Sequence, residues 1–294
     1  MNVTSSQLKD KFRGCLMGMA IGDALGAASE FMNERQVCDA FGVLKDYHAT
    51  AYFGAGEFTD DTSMALAIAD AFLEWMHKDG RGIGMLTLES LRLIERGESP
   101  HAAGQRAWER SGKSSAGNGA VMRCAPVGLF GFRDPESLVE DSIATSRITH
   151  YDPRCCHGTV AVNSAIAAML NDTDTFEAAA ASIAGKCPEL EAALEEAKVK
   201  DTGAMSLDGP NMGYTILTTQ VAFAALRQFD SLEDGLIAVV NKGGDADTNG
   251  AVAGALLGCK FGLESFPKRW VDGLQDAERV MAAADRLYEL VVGA

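Results

Sequence analysis

The sequence predicts an all-α protein, a single compact multi-helix domain that spans residues 1–294. Alanine is abundant and recurs at helical spacing, whereas the chain has only seven prolines and 7% aromatic residues. No linker rich in glycine and serine or in proline divides it, and an apolar content of 47% is enough for one sizeable core. We therefore expect at least about twelve helices and no sheet of any size.

The first element is a long helix that carries four glycines. We expect it to begin near Ser6, with Ser5 or Ser6 as its cap, and to run past Gly26. A glycine inside a helix costs about 1 kcal/mol relative to alanine, and residues four apart lie on one face. The glycines at this spacing are Gly14, Gly18, Gly22 and Gly26. They predict that another backbone packs very close to this face; the alternative is a broken, loop-like segment.

A second glycine series of the same spacing follows an acidic motif near the C-terminus, in a helix expected at Ala251–Phe261. It consists of Gly250, Gly254, Gly258 and Gly262. We expect the two glycine-bearing helices to pack against each other or around one site. Their acidic ends would then converge and bring Asp23 and Glu30 close to Asp245 and Asp247.

The remaining helices follow from apolar periodicity and capping residues. Thr59 is a natural N-cap, and the helix after it has a buried face formed by Met64, Leu66, Ile68, Phe72 and Leu73. The stretch Glu195–Asp208 is expected to be exposed. Further helices are expected at Glu34–Ala40, Met85–Arg96, His101–Arg110, Glu136–Ile148, His157–Leu170, Asp174–Ala184, Leu190–Ala197, Asn211–Phe229, Leu232–Val240, Trp270–Leu274 and Asp276–Val292.

The charge and the cysteines limit the class of protein. A net charge of −15 argues against a nucleic-acid backbone or an anionic membrane surface as the main partner, although a bound metal could still attract a small anion. The seven cysteines are scattered and form no Cys-x-x-Cys pair, which predicts free thiols in a reducing compartment. No signal peptide or membrane-length apolar run is visible. We expect a cytoplasmic monomer.

Two acidic motifs carry the candidate chemistry. Residues 241–250 read N-K-G-G-D-A-D-T-N-G, and Thr59-Asp60-Asp61-Thr62 opens a helix. The first motif resembles an EF-hand loop, but Leu256 stands where that loop needs an acid. A single acid in a first helical turn would complement the helix dipole. Two adjacent acids and a second acidic loop favour a metal site instead, because carboxylates this dense are costly without a cation.

The ligand types in these motifs are all oxygen. Oxygen donors suit Mg²⁺, Mn²⁺ or Ca²⁺ rather than zinc, and no histidine stands beside the motifs. One divalent ion would leave five carboxylates with a net charge of about −3, and two would leave about −1. Two metals can acidify a bound water, so the composition predicts metal-assisted hydrolysis. The candidates are Glu30, Asp60, Asp61, Asp245 and Asp247, with Thr59 and Thr248.

A loop of small residues offers a second kind of site. Ser114–Gly128 runs from S-S-A-G-N-G into a helix that Pro126 should limit. Such a loop presents backbone N–H groups to an anion.

Four motifs in this order carry a resemblance to a known family: T-D-D-T, G-N-G-A-V-M-R, I-T-H-x-x-P and G-G-D-A-D-T-N-G-A. They resemble the ADP-ribosylglycohydrolase family and, within it, the dinitrogenase-reductase-activating glycohydrolase type, over nearly the whole chain. The resemblance implies an all-α fold with a dinuclear Mg²⁺ or Mn²⁺ site in a central cleft. It implies hydrolysis of the bond between ADP-ribose and an acceptor, either an ADP-ribosylated protein or a small ADP-ribose conjugate.

The resemblance also implies roles for individual residues. The metal ligands would be Thr59, Asp60, Asp61, Asp245, Asp247 and Thr248. Glu30 matches an acid near the metals and is the candidate ligand or general base, so the catalytic set is Glu30, Asp60, Asp61 and Asp247. Asn118 and Gly119 match a loop that holds ribose and phosphates. His150 would lie near the diphosphate or ribose, or else cap a helix; Tyr214 would pack on the ligand, or else belong to the core.

One position departs from the family pattern. Ser115 stands where enzymes of the nitrogenase-linked type carry an acid thought to help with arginine linkages. ADP-ribosyl-arginine on a protein remains the expected substrate, with serine-linked or O-acetyl-ADP-ribose as alternatives. A catalytically silent ADP-ribose-binding protein is a second class. A helical metal phosphohydrolase is a third, although that class commonly uses a His-Asp pair and no such dipeptide occurs.

Overall fold

The computed structural model describes residues 4–67 and 72–293, and within those ranges it contains sixteen α-helices and no β-strand. The all-α prediction is therefore confirmed. The α-helices are α1 (Ser5–Gly26), α2 (Glu34–Phe41), α3 (Asp60–Ala67), α4 (Phe72–Asp79), α5 (Met85–Glu95), α6 (Pro100–Arg110), α7 (Ala125–Gly131), α8 (Pro135–Arg147), α9 (Pro153–Leu170), α10 (Thr175–Ile183), α11 (Pro188–Ala197), α12 (Thr215–Gln228), α13 (Leu232–Val240), α14 (Ala246–Phe261), α15 (Lys268–Gly273) and α16 (Ala277–Val292).

The two glycine-bearing helices, α1 and α14, pack against each other with their backbones in contact. A Cβ atom built on Gly18 would lie 2.1 Å from the carbonyl oxygen of Gly254, and one built on Gly254 would lie 2.0 Å from that of Gly18. Gly14 faces Gly258 in the same way. Side chains at these positions would overlap with backbone atoms, so the predicted close approach is confirmed and the broken-segment alternative is wrong.

The two helices run antiparallel, which brings the C-terminal end of α1 to the N-terminal end of α14. A Cβ on Gly26 would lie 2.2 Å from the carbonyl oxygen of Ala246. At the other end, Gly262 adopts a φ of +76° and ends α14 beside Asp10. The glycine contact therefore places the residues that follow α1 beside the acidic motif that begins α14.

Around this pair the other helices complete one core. Helices α12 and α13 pack on α14, and α16 packs on α1. Phe12, Phe223 and Trp270 are among the largest fully buried side chains. The Trp270 indole donates to the carbonyl of Lys45 at 2.9 Å, which ties the loop after α2 to this core. All seven cysteines are free thiols, as predicted. Every one except Cys38 is buried.

Several helix boundaries differ from the predictions for local reasons. The cap of α1 is Thr4, because its side chain and that of Gln7 form a reciprocal capping box. Helix α14 begins at Ala246 instead of Ala251, because Gly243 and Gly244 turn the chain with positive φ just before it. The acidic motif therefore forms the first turn of the helix itself.

Other differences concern the role of one proline and the burial of residues that were expected to be exposed. Pro126 lies in the first turn of α7 and does not end a helix. In the stretch predicted to be exposed, Thr202, Met205 and Leu207 are buried. The predicted contribution of Ile68 lies outside the described residues, as does the burial of Phe72 and Leu73.

In the described ranges, no helix combines the length and the apolar character that crossing a membrane requires.

The glycine contact makes a direct prediction for stability. Replacing Gly254 by alanine places a Cβ 2.0 Å from a carbonyl oxygen of α1, and we expect the free energy of unfolding to fall by about 3 kcal/mol or more. Chemical denaturation followed by circular dichroism measures this. The matched control is Gly203→Ala, because a Cβ there meets no atom within 4 Å. Equal stability of the two variants would contradict the packing described for α1 and α14.

Candidate active site

A cleft of about 360 Å³ opens where the end of α1 meets the first turns of α3 and α14. Most of the predicted site residues line it. They are Glu30, Asp60, Asp61, Ser115, Asn118, Gly119, His150, Asp245, Asp247 and Thr248. Thr59 is buried beneath the cleft, and Tyr214 lines a neighbouring cavity.

The carboxylates on the cleft floor form two groups that share one residue. Oxygens of Asp23, Asp61 and Asp247 lie within 4.8 Å of one another, and so do oxygens of Glu30, Asp245 and Asp247. The predicted convergence of the acidic ends of the two glycine-bearing helices is therefore confirmed. Asp247 belongs to both groups, so it is placed to contact two adjacent positions on the cleft floor.

Asp23 fixes the first turn of α3 from across the helix interface. Its carboxylate accepts hydrogen bonds from the backbone N–H of Thr59 at 2.9 Å and from the N–H and hydroxyl of Thr62 at 3.0 and 2.7 Å. This carboxylate therefore supplies two of the acceptors that the N-terminus of a short helix lacks. Sequence reasoning placed Asp23 near the site but did not identify this structural role.

Thr59 and Asp61 are arranged by the same turn. The Thr59 hydroxyl donates to Asp61 Oδ2 at 3.1 Å. Asp61 Oδ1 is buried and has no hydrogen-bond partner among the described residues. A buried carboxylate oxygen without a donor is costly, and a cation bound at this point would satisfy it.

The acidic loop is held by backbone contacts to the segment after α1. Phe31 donates its N–H to the carbonyl of Gly244, and Gly244 donates to the carbonyl of Met32, both at 2.7 Å. This pairing sets Glu30 beside Asp245. Inside the loop, Asp247 Oδ1 accepts from the N–H of Thr248 at 2.8 Å.

Burial raises the pKa of every carboxyl group on the floor. Burial is the largest cause for each of them, and it raises the pKa of Asp23 to about 6, of Glu30 to about 7 and of Asp60 to about 8. The pKa values of Asp61, Asp245 and Asp247 are also raised, in each case mainly by burial. Neighbouring carboxylates add to the effect at Glu30, Asp60, Asp61 and Asp247.

These residues fit a hard divalent cation. The donors on the floor are carboxylate and hydroxyl oxygens, which such cations prefer. Asp61 Oδ1 needs a partner, and the raised pKa values mean that the cluster binds protons when no other positive charge is present. The acidic cluster can therefore bind metal.

The Ala116–Gly119 loop forms one wall and is tied to the acidic motif. The Asn118 amide nitrogen donates to Asp245 Oδ2 at 2.6 Å and to the hydroxyl of Thr218 at 2.9 Å. A Cβ on Gly119 would lie 2.6 Å from Cε1 of His150, so only glycine fits against that ring. The ribose- and phosphate-binding roles of Asn118 and Gly119 stay predictions.

His150 is buried and neutral. Burial, reinforced by the positive charge of Arg123, lowers the pKa of its imidazole to about 3. Its Nδ1 lies 2.8 Å from the hydroxyl of Thr149, which accepts from Arg123 Nη2 at 2.6 Å. The backbone N–H of His150 bonds to Ser146 in the last turn of α8, while the ring lines the cleft. The backbone thus completes a helix end, and the side chain remains available to a ligand.

Arg123 was missed by sequence reasoning, although it ends the motif G-N-G-A-V-M-R. This arginine is buried, and burial lowers its pKa to about 10. It donates to the carbonyl of Gly119 and to Thr149, so it holds the loop and the His150 segment together. Its place as the only basic residue in that motif was the available signal.

Tyr214 lines a second cavity of about 520 Å³, which shares Gly117 with the cleft. The Arg154 guanidinium lies 5.6 Å from the centre of its ring, and Nη1 lies 3.3 Å from its hydroxyl. Asp152 holds Arg154 through hydrogen bonds of 2.8 and 3.0 Å. Tyr214 is thus half-buried: it packs against the hydrophobic core and also lines the cavity. Its contact with a ligand stays a prediction.

The chain is similar over almost its whole length to proteins of one family. The model of the family ADP-ribosylglycohydrolase matches residues 4–294. The chain is 27% identical to the ADP-ribosyl-[dinitrogen reductase] glycohydrolase of Rhodospirillum rubrum over 92% of each chain. It is 26% identical to the ADP-ribosylarginine hydrolase Tri1 of Pseudomonas putida over 98% of this chain and 80% of that one.

A solved structure has the same fold. It is described as an ADP-ribosylglycohydrolase-related protein complex, and it matches with a TM-score of 0.82 and 28% identity. The match covers 98% of this chain and 100% of that one.

The raised carboxyl pKa values predict how stability depends on pH and metal. Unfolded Asp and Glu titrate near pH 4, whereas Glu30 and Asp60 titrate near 7 and 8 in the folded, metal-free chain. The folded state therefore holds more protons than the unfolded state between about pH 4 and 8. The free energy of unfolding that these two groups contribute decreases as the pH rises through that window. We expect the melting temperature in EDTA to fall from about pH 5 to 8.

A saturating divalent cation should reverse this trend, because it binds the deprotonated carboxylates. The stabilisation by Mn²⁺ or Mg²⁺, measured as the difference in melting temperature from EDTA, should grow with pH over the same window. Asp61→Asn should shrink both effects, whereas a change at the exposed Asp230 should not. A metal-free protein whose stability is flat with pH would contradict the electrostatics of the cluster.

Proposed function

We propose, because the chain belongs to the ADP-ribosylglycohydrolase family, that it is a metal-dependent hydrolase that releases ADP-ribose from ADP-ribosylated arginine on a protein. The observation that carries the proposal is the pair of carboxylate groups that share Asp247 on the floor of the cleft. The loop Ala116–Gly119 and the neutral His150 beside them add groups suited to the rest of an ADP-ribose molecule.

The cofactor in this proposal is a pair of divalent cations, Mg²⁺ or Mn²⁺. The residues that would hold them are Thr59, Asp60, Asp61, Asp245, Asp247 and Thr248. Two ions of charge +2 would offset four of the five negative charges contributed by these aspartates and Glu30. When bound, such ions lower the pKa of a bound water and attract ribose hydroxyls.

The carboxylates have a second function during bond cleavage. As the bond from the distal ribose to its acceptor stretches, positive charge develops on the anomeric carbon, as in other glycosidic hydrolyses. Asp61 and Asp247 line the floor of the cleft, and the negative charge that two ions would leave there stabilises that carbon. Because their positions are set by α1, α3 and α14, little reorganisation is needed.

Glu30 is the general acid–base candidate. It is half-buried at the mouth of the cleft, and burial together with the charge of Asp245 raises its pKa to about 7. At the mouth of the cleft its carboxyl group is placed to take a proton from water and to return one to the leaving group. The backbone pairing of Phe31 with Gly244 keeps it beside Asp245.

The remainder of the ligand would extend along the wall of the cleft. A neutral His150 can donate its Nε2–H to a ribose or phosphate oxygen if Thr149 donates to Nδ1. Beyond Gly117 the second cavity offers the Tyr214 ring to the adenosine end. Ser115, which also lines the cleft, would contact the substrate.

Loss of Asp247 should separate activity from folding. We expect Asp247→Ala to lower the rate of ADP-ribose release by about a thousandfold or more, because both carboxylate groups lose their common member. The variant should keep the helical circular dichroism of the wild type, because the α1–α14 packing rests on the glycines and not on Asp247. Asp230→Ala, at an exposed position, is the control and should keep full activity. A fully active Asp247→Ala enzyme would contradict the metal proposal.

The acceptor is tested with three conjugates of ADP-ribose. Peptides carrying arginine-linked and serine-linked ADP-ribose, and O-acetyl-ADP-ribose, are incubated with Mn²⁺, with Mg²⁺ or with EDTA. We expect the arginine-linked peptide to be cleaved fastest and EDTA to stop the reaction. Faster cleavage of the serine-linked or acetyl conjugate would favour the O-linked alternative that Ser115 raised. Binding of ADP-ribose without cleavage of any conjugate would identify a silent binding protein.

A further inference from the structure

The cleft adjoins the second cavity at Gly117, which lines both. If the adenosine end of ADP-ribose occupies the second cavity, as the proposed function requires, the acceptor on the distal ribose lies in the cleft and leaves through its opening to solvent. Phe31 and Met85 are exposed and line the cleft but not the second cavity, so they stand at this exit.

Phe31 is an unusual residue at this exit. Its side chain is 70% exposed, although phenylalanine is normally buried. Its φ of +63° lies in the left-handed region, which bulky residues rarely adopt. Hydrogen bonds of Phe31 and Met32 to Gly244 hold this conformation. Neither the exposure nor the backbone conformation favours phenylalanine for stability, so a contact with a ligand is a better explanation for the ring.

The charges around the ring indicate which acceptor it suits. Glu30, which is not among the proposed metal ligands, precedes it in the chain and lines the same cleft. None of the described residues that line the cleft is lysine or arginine. An aromatic face with a carboxylate close by favours a flat cation, because the guanidinium group both stacks on rings and pairs with carboxylates. A serine or acetyl acceptor is uncharged and would gain neither interaction.

We infer that Phe31 is a specificity-determining residue that stacks on the guanidinium group of the modified arginine at the exit of the cleft. The inference rests on the proposed function, since it assigns a residue to the acceptor of that reaction. It also bears on Ser115, because selection for arginine would come from Phe31 and not from the position where the family pattern has its acid.

The test compares three variants on two substrates. Phe31→Leu keeps an apolar side chain at the same strained backbone position but removes the aromatic face, and Phe31→Tyr keeps that face. Phe130→Ala removes another exposed phenylalanine, which is 55% exposed and does not line the cleft. The substrates are two peptides of matched sequence, one with arginine-linked and one with serine-linked ADP-ribose.

We expect Phe31→Leu to raise KM for the arginine-linked peptide about fivefold, which is the size of an exposed cation–π contact. Its kcat, and both constants for the serine-linked peptide, should stay near the wild-type values. Phe31→Tyr and Phe130→Ala should behave like the wild type with both peptides.

The inference is overturned if Phe31→Leu leaves KM for the arginine-linked peptide unchanged or changes both peptides equally. It is also overturned if Phe130→Ala has the same effect. In those cases wild-type hydrolysis of the arginine-linked peptide still supports the proposed function. If the wild type with Mn²⁺ hydrolyses neither the arginine-linked nor the serine-linked peptide, the proposed function and the inference are rejected together.

Discussion

The contact between the backbones of α1 and α14 is the constraint on which the rest of the structure depends. Each helix presents glycines to the carbonyl oxygens of the other, so the two axes approach more closely than side chains would allow. The antiparallel direction places the end of α1 beside the first turn of α14. Asp23, Glu30 and Asp247 therefore meet, although more than 200 residues separate the first two from the third.

This rigid support allows the cleft floor to be electrostatically unfavourable. Six carboxyl groups lie close together, and burial raises the pKa of each. A softer framework would separate them, because like charges repel strongly when water is excluded. Here the positions are set by backbone contacts and by the bonds from Thr59 and Thr62 to Asp23. The repulsion among these carboxylates is therefore relieved when the cluster binds a cation or protons.

The fold class and the carboxylates could be predicted from sequence because their signals are local. Glycines four apart mark one helix face, and Thr59-Asp60-Asp61 can be read without knowing its neighbours. Beyond the packing that the two glycine series predicted, contacts between distant side chains could not be predicted in this way. The bonds from Thr59 and Thr62 to Asp23 and the bond from Arg123 to Thr149 join residues that no periodicity relates. The cavity that Tyr214 lines is likewise built from segments distant in sequence, residues 114–117, Arg154, Glu189 and residues 210–214.

The pairing of glycines also fixes the register between α1 and α14. Gly14 faces Gly258, and Gly26 faces Ala246, so a step along one helix is matched by an equal step back along the other. Sliding by one glycine would move α14 by about 6 Å, and inserting one residue would rotate the rest of a helix by about 100°. Both changes would remove Asp247 from Asp61. Insertions and deletions during evolution should therefore be tolerated in the connecting loops and excluded from these two segments.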